Sequence, residues 1–219
     1  MFSKAVCLRL FDPKKGCGFT AHYYTDNRNL ATNRKEHSFR FSGHQYHFTT
    51  DNGVFSKTQV DYGTLVLLEA IIQQSLEGRI LDLGCGYGVI SVVLKTIYPS
   101  LDVTSVDINP RAIELTQLNC DQNGVKSTIL VSDGFSQLKE STFDAVITNP
   151  PIRAGKKVIY GMFDDAYEHL NNGGKLIAVI QRKQGAESAI KKLEDLFGNC
   201  TVVSRDRGYW VFESRKLTD

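Results

Sequence analysis

From residue 79 onward the chain alternates short apolar runs with longer segments whose apolar positions recur at helical spacing. Runs of strand length lie at 79–83, 102–107, 127–132, 145–148, 175–181, 201–204 and 209–213. Helical patterns fall between them at 89–96, 110–119, 158–170 and 187–197. Pro110 suits a first helical turn, and Gly173-Gly174 is expected to close the helix ahead of the fifth strand. Repeated strand-then-helix units of this length imply a mainly parallel sheet covered on both faces. Upstream, Val60, Leu65, Leu67, Leu68, Ile71 and Ile72 recur at helical spacing within 59–74, a helix starting near Asp61. Residues 37–50 alternate Phe39 and Phe41 with Tyr46 and Phe48 around Ser42-Gly43-His44-Gln45, the pattern of a hairpin. Residues 1–36 show no persistent period, and Lys14-Lys15-Gly16 and Asp26-Asn27-Arg28-Asn29 read as loop. The whole reads as one doubly wound α/β domain with an N-terminal appendage.

Composition narrows the classes without naming one. A chain of 219 residues holds one α/β domain with a substantial core and is too short for two large ones. With 42% hydrophobic and 23% charged residues it has the make-up of a soluble globular protein. The formal charge of +2 gives no overall argument for a polyanionic partner, so such a surface would have to come from local clustering. No apolar run approaches the ~20 residues of a membrane span, and the one at 64–72 is interrupted by Glu69. The N-terminus lacks the pattern of a secretory signal. Cys7, Cys17, Cys85, Cys120 and Cys200 are odd in number and widely spaced, which is expected of free thiols in a reducing cytoplasm rather than of a zinc site or disulfide framework. The five histidines, His22, His37, His44, His47 and His169, have no metal-binding spacing. Neither a membrane nor a metal is expected as a partner.

The first chemical signal is Ile80-Leu81-Asp82-Leu83-Gly84-Cys85-Gly86-Tyr87-Gly88, an apolar strand running through a glycine-rich turn into a helix. Glycines let a backbone turn tightly and approach a ligand closely. The spacing is G-x-G-x-G, not the G-x-G-x-x-G that places a pyrophosphate on a helix N-terminus. Asp82, two residues before Gly84, is badly placed for a phosphate but can attract a cationic amino group directly or through water. Asp107 ends the second strand, 19 positions after Gly88, where a carboxylate can accept from both hydroxyls of a ribose. Asp133 follows the third strand, where it can accept from an adenine amino group. Any one of these aspartates could be a plain strand-end cap. Three in this order fit S-adenosylmethionine, which carries an ammonium, a ribose and an adenine but no phosphate.

The second signal ends the fourth strand, where Thr148 leads into Asn149-Pro150-Pro151-Ile152. Ligands of open α/β sheets bind at the carboxyl ends of strands, so Asn149 should face the transferable methyl group. Consecutive prolines fix φ and remove two backbone donors. The Asn149 side-chain oxygen and the Pro150 carbonyl can then accept both protons of a planar amino group, favouring a pyramidal nitrogen with its lone pair exposed. Positioning and electrostatics then suffice, with no strong general base. An isolated Asn-Pro-Pro could equally be a rigid turn that ends a strand.

Arg153, Lys156 and Lys157 follow at once and could hold phosphates around a flipped-out nucleotide, although a solvated loop would carry such charges too. Arg28, Arg34 and Lys35 form a second basic patch. Cys85 has no histidine partner in view, which disfavours a nucleophilic role. Trp210 sits in an apparent core strand and reads as packing.

With those residues in view, residues 22–217 resemble the ribosomal RNA guanine-N2 methyltransferases of the small subunit, in a short single-domain form. The resemblance is carried by His22-Tyr23-Tyr24, Gly53-Val54-Phe55-Ser56, Asp61-Tyr62-Gly63-Thr64, residues 82–88, Val106-Asp107-Ile108-Asn109, Ser132-Asp133-Gly134-Phe135, residues 149–157, Gly173-Gly174 and Gln181-Arg182-Lys183-Gln184-Gly185. It implies a class I methyltransferase fold, a Rossmann-like, seven-stranded, mostly parallel sheet whose last strand is antiparallel. The implied organisation is an unmatched extension at 1–21, a hairpin and cofactor-covering segment at 22–58, and the methyltransferase domain at 59–219. Phe55, Gly63 and Thr64 would help enclose S-adenosylmethionine. Gly84, Cys85, Gly86, Gly88, Ile108 and Gly134 would join Asp82, Asp107 and Asp133 in holding it. Ile152 with Arg153, Lys156 and Lys157 would meet the substrate. The implied acceptor is guanine N2 in 16S ribosomal RNA, met in the cytoplasm as free RNA or small subunit; the oligomeric state stays open. Asn-Pro-Pro enzymes acting on adenine or glutamine often have an aromatic fourth residue, and Ile152 departs from that. Adenine N6, a protein glutamine and a non-catalytic RNA-binding or ribosome-assembly role remain the alternatives.

Overall fold

The structure, a computed structural model, describes residues 31–56 and 58–217. The expected extension at 1–21, the loop clusters, His22-Tyr23-Tyr24, Arg28, Cys7 and Cys17 lie outside the described residues.

Strands β1 (Lys35–Phe41) and β2 (His44–Thr50) form an antiparallel hairpin. Helix α1 (Tyr62–Ile71) follows, and then the alternation begins with β3 (Arg79–Leu83), α2 (Val89–Ile97), β4 (Asp102–Asp107), α3 (Pro110–Gln122) and β5 (Thr128–Val131). The second half is β6 (Phe143–Thr148), α4 (Lys156–His169), β7 (Leu170–Gln181), α5 (Ala186–Phe197), β8 (Thr201–Asp206) and β9 (Tyr209–Arg215). The seven-stranded sheet has the order β5-β4-β3-β6-β7-β9-β8, and β9 runs antiparallel to both neighbours while the other pairs are parallel. This is the class I methyltransferase architecture. The direction of winding switches between β3 and β6, so their carboxyl ends flank the crevice where such sheets bind ligands.

The continuous apolar strands follow from burial on both faces. Side chains of a strand alternate between faces, and here the alternation divides two cores. Ile80, Val103, Ile147, Ile177 and Val211 face α1, α2, α3 and the hairpin. Leu81, Leu83, Val146, Leu176 and Phe212 face α4 and α5.

The hairpin packs Phe41, Tyr46 and Phe48 into the first core. It is fastened by two asparagines one helical turn apart on α3. Asn119 accepts from the Thr49 N–H at 2.7 Å and donates to the Thr49 and Tyr87 carbonyls at 3.0 and 2.7 Å. Asn123 accepts from the His47 N–H at 3.0 Å and donates to its carbonyl at 2.7 Å. The two amides thus satisfy an open strand edge that would otherwise need a partner strand or water.

Two sequence expectations are corrected. The hairpin turn is Ser42-Gly43 alone, both with positive φ (47° and 79°), and His44 and Gln45 belong to β2; two left-handed residues match the twist of the strands they join. Gly173-Gly174 does not close α4, which ends at His169; it lies within β7, beside a register shift against β6. A Cβ on Gly174 would come within 2.8 Å of the Asn171 carbonyl, so close backbone approach, not helix termination, requires glycine there. Trp210 packs against the second core as expected, half-buried with guanidinium groups over its ring. Among the described residues no helix is long and apolar enough to cross a membrane.

Candidate active site

The glycine loop is pinned to the neighbouring strand. The N–H groups of Gly84 and Cys85 both donate to the Val106 carbonyl at 2.9 Å, and that of Gly86 donates to the Asp107 carboxylate at 2.9 Å. Gly84, Gly86 and Gly88 all have positive φ, a conformation that side chains disfavour. A Cβ at Gly84 or Gly86 would meet nothing within 4 Å, so the loop's surface is open where a ligand would lie. Gly88 differs, because a Cβ there would stand 2.8 Å from Thr116 Cγ2 and push α2 from α3.

Asp82 is wholly buried and turned toward α2. Its Oδ2 accepts from the Ser91 N–H at 3.1 Å and the Ser91 hydroxyl at 2.6 Å, and that hydroxyl lies 2.6 Å from the hydroxyl of Ser105. Gly88 offers no side-chain cap, so Asp82 satisfies the first turn of the helix and sits at the positive end of its dipole. Its Oδ1 is buried and takes no hydrogen bond from the described residues. Burial lifts its pKa to about 7, partly opposed by the Ser91 bonds and reinforced by the charge of Asp107. Direct contact of this carboxylate with a ligand ammonium is not open in this geometry; a water-mediated or field effect is.

Asp107 is buried at the end of β4, accepting from Gly86 on one oxygen and from the Asn109 N–H at 2.9 Å on the other. Ile108 beside it is half-buried. Asn109 caps α3 and donates to the Gly53 carbonyl at 3.0 Å, while Arg111 donates to the Asn52 carbonyl at 3.1 Å and lies 3.7 Å from Asp51. These bonds draw the segment after the hairpin across the end of β4 and bring Phe55, 57% exposed, to the same edge. Asp133 is exposed in the turn after β5 and Gly134 has a φ of 53°.

Asn149 directly follows β6, with its amide orientation set by two acceptors. Its Nδ2 donates to Asp61 Oδ2 at 3.0 Å and to Thr64 Oγ1 at 2.9 Å. A carboxylate can only accept, so the amine end must face α1 and the carbonyl end must face away from it. Asp61 does double duty, since its side chain also caps α1 by accepting from the Thr64 N–H at 3.1 Å. Gly63 is wedged between them and Tyr209, where a Cβ would come within 2.9 Å of both Asp61 Oδ2 and the Tyr209 ring. Neither Asn149 Oδ1 nor the Pro150 carbonyl takes a donor from the described residues. Two acceptors on consecutive residues are therefore left without a donor from the described residues at the switch point. Pro151 leads into a short 3-10 helix, Ile152–Ala154, and Gly155 (φ 91°) turns the chain into α4. Ile152 is half-buried against the second core, whereas Arg153, Lys156 and Lys157 are exposed.

The fold thus gathers Asp82, Gly84, Gly86, Asp107, Thr64, Gly63 and Asn149 along one edge of the sheet. Cys85 is buried, and burial raises its thiol pKa well above the ordinary range, which removes it as a nucleophile. Sequence reasoning had Asp61 as a helix start and, with Asn109, as a carrier of the resemblance, gave neither a part in the site, and did not reach Tyr209 or Arg111 as site residues. The sole signal for Asp61 was its place as an N-cap at the head of Asp61-Tyr62-Gly63-Thr64.

The methyltransferase small domain family matches residues 45–213. The chain is 43% identical over 198 residues to the uncharacterized protein YbxB of Bacillus subtilis (strain 168), covering 90% of this chain and 98% of that one. It is 34% identical over 168 residues to ribosomal RNA small subunit methyltransferase C of Shewanella amazonensis, covering 75% of this chain but 48% of the relative. Among solved structures, the T. thermophilus 16S rRNA N2 G1207 methyltransferase in complex with AdoMet and guanosine superposes with a TM-score of 0.78 at 28% identity, covering 85% of this chain and 52% of that one. The chain thus spans about half the length of the two relatives whose names state an activity. From its fold, its glycine loop and these matches, the chain belongs to the methyltransferase small domain family.

Proposed function

We propose that this chain is an S-adenosylmethionine-dependent methyltransferase acting on the exocyclic N2 of a guanine in small-subunit ribosomal RNA. The observation that carries the reading is the fixed amide of Asn149, whose amine end is held by Asp61 and Thr64, so that its carbonyl end is turned away from them. The cofactor supplies an electrophilic methyl group on a sulfonium. Its residues here would be Gly84, Cys85, Gly86 and Gly88 as an open backbone cradle, Asp107 with Ile108 toward the ribose, Asp133 and Gly134 toward the adenine, and Phe55, Gly63 and Thr64 as the cover. Asp82 supports the cradle from beneath through Ser91 and contributes negative potential to the ammonium site.

A guanine amino nitrogen is planar and a weak nucleophile because its lone pair is delocalised into the ring. Asn149 Oδ1 and the Pro150 carbonyl accept its two protons and hold it with the lone pair turned out. Pro151 contributes stiffness, since fixed φ angles keep both acceptors in place as charge develops. The cationic product nitrogen is acidic enough to release its proton to water, so the transfer requires no strong general base. Ile152 offers no aromatic ring to stack on the base, which favours guanine over the adenine and glutamine alternatives. Arg153, Lys156 and Lys157 lie at the rim, where phosphates of an extruded nucleotide would pass. The setting is the cytoplasm, where ribosomal subunits are built.

The test is Asn149→Ala. Cofactor affinity should be kept while transfer of labelled methyl to small-subunit RNA falls by about 100-fold or more, the scale of a lost transition-state hydrogen bond. Full activity in that variant would overturn the mechanism.

A further inference from the structure

The tip of the β8–β9 hairpin lies on the same edge of the sheet as Asn149, because Tyr209 pairs with Gln181 at the carboxyl end of β7. Its two central residues, Arg207 and Gly208, have φ of 44° and 83°. Such turns favour Asn-Gly or Gly-Gly, since the left-handed region is costly for a long side chain. The Ser42-Gly43 turn has the same geometry with a small residue in the first place. An arginine held in this conformation, at this edge, asks for a reason beyond the turn.

The surroundings supply one. The Arg207 guanidinium lies 4.9 Å over the ring of Tyr62, whose hydroxyl donates to Asp206, and Tyr62 directly follows Asp61. On the other side of the tip, Arg205 and Arg182 lie 4.6 and 5.7 Å over Trp210. Arg182 is also paired with Glu187 at 3.0 Å. Arg182, Lys183, Arg205 and Arg207 are all exposed, with Asp206 and Glu187 the acidic groups among them. Lys156, beside the catalytic loop, reaches Gly185 at the end of the Arg182–Gln184 turn: a Cβ on Gly185 would lie 3.9 Å from its Cε. A belt of cations therefore runs from the rim of the Asn149 site to the hairpin tip. A guanidinium stacked on an aromatic ring is already oriented, with its N–H groups free at the edge, and loses little freedom on binding a phosphate.

We propose that this belt, with Arg207 at its head, is the surface that grips the RNA backbone flanking the target guanine. The proposal rests on the reading of the chain as an RNA methyltransferase. It commits to phosphates, since the edge that must receive an extruded base must also pass the adjoining backbone. An acidic protein surface is the competing occupant.

The test compares Arg207→Asn and Arg205→Gln with wild type in binding naked small-subunit RNA across a salt series. Asparagine suits the turn, so Arg207→Asn should keep or raise the melting temperature and leave S-adenosylmethionine affinity unchanged. RNA affinity should fall about tenfold at low salt, the scale of one charge-assisted hydrogen bond. The slope of log affinity against log salt should shrink by about 0.7–0.9 per lost phosphate contact. Unchanged affinity and slope, with wild type still labelling guanine, would overturn the belt alone. A defect seen only with assembled subunits would assign the surface to a protein and overturn it too. A wild-type chain that neither binds nor methylates RNA would overturn the functional reading and this surface with it.

Discussion

The amine of Asn149 donates a 3.0 Å hydrogen bond to the carboxylate of Asp61, which lies 88 positions earlier in the chain. That one bond decides which end of the amide faces away from α1. With Thr64 as second acceptor, a flipped amide would set its oxygen against a carboxylate, so the arrangement holds in one orientation only.

Asp61→Ser tests this directly. Serine is also a good N-cap, so the cost to α1 should be a few tenths of a kcal/mol. It is too short to reach Asn149, and kcat should fall by about 10- to 100-fold, the range of a lost hydrogen bond to a charged group. Steady-state kinetics beside thermal melting checks it; unchanged kcat in a folded variant would remove Asp61 from the site.

Asp107→Ala should weaken S-adenosylmethionine binding by about 10-fold or more, through the lost carboxylate and the released Gly86 N–H. Calorimetry gives the affinity, and an unchanged value would contradict the assignment.

Asp82 carries a pH signature. Its carboxyl titrates near 3.8 when unfolded and is raised to about 7 by burial in the folded chain. Between those values the folded state holds a proton that the unfolded state has released. The Asp82 contribution to stability is therefore fully present below about pH 4, declines up to about pH 7 and is level above. Asp82→Asn should flatten that decline in urea unfolding measured across the range. A variant that tracks wild type throughout would show that the carboxyl is not protonated in the fold.

Much of the framework was legible because strands buried on both faces must be apolar throughout. Residues 79–83 and 102–107 were found to the residue, and β9 pairs as the resemblance implied. The glycine loop and Asn149-Pro150-Pro151 were legible because their chemistry is local in sequence. What escaped depended on distant partners. Asn119 and Asn123 carry no signal of their own in the sequence, and only packing shows them finishing the edge of β2. Asp82 was placed near a ligand by its spacing, yet Ser91 turns it inward to cap a helix. Trp210 was legible as packing, but the arginines over its ring, from β8 and from the turn after β7, were not.

The most direct measurement is the identity of the methylated nucleoside. Wild-type protein is incubated with labelled S-adenosylmethionine and, in parallel, with naked 16S RNA and assembled small subunits, and the RNA is digested to nucleosides. The expected result is label in N2-methylguanosine from at least one substrate, lost with Asn149→Ala. Label in N6-methyladenosine or in protein, or no RNA label at all, would contradict it.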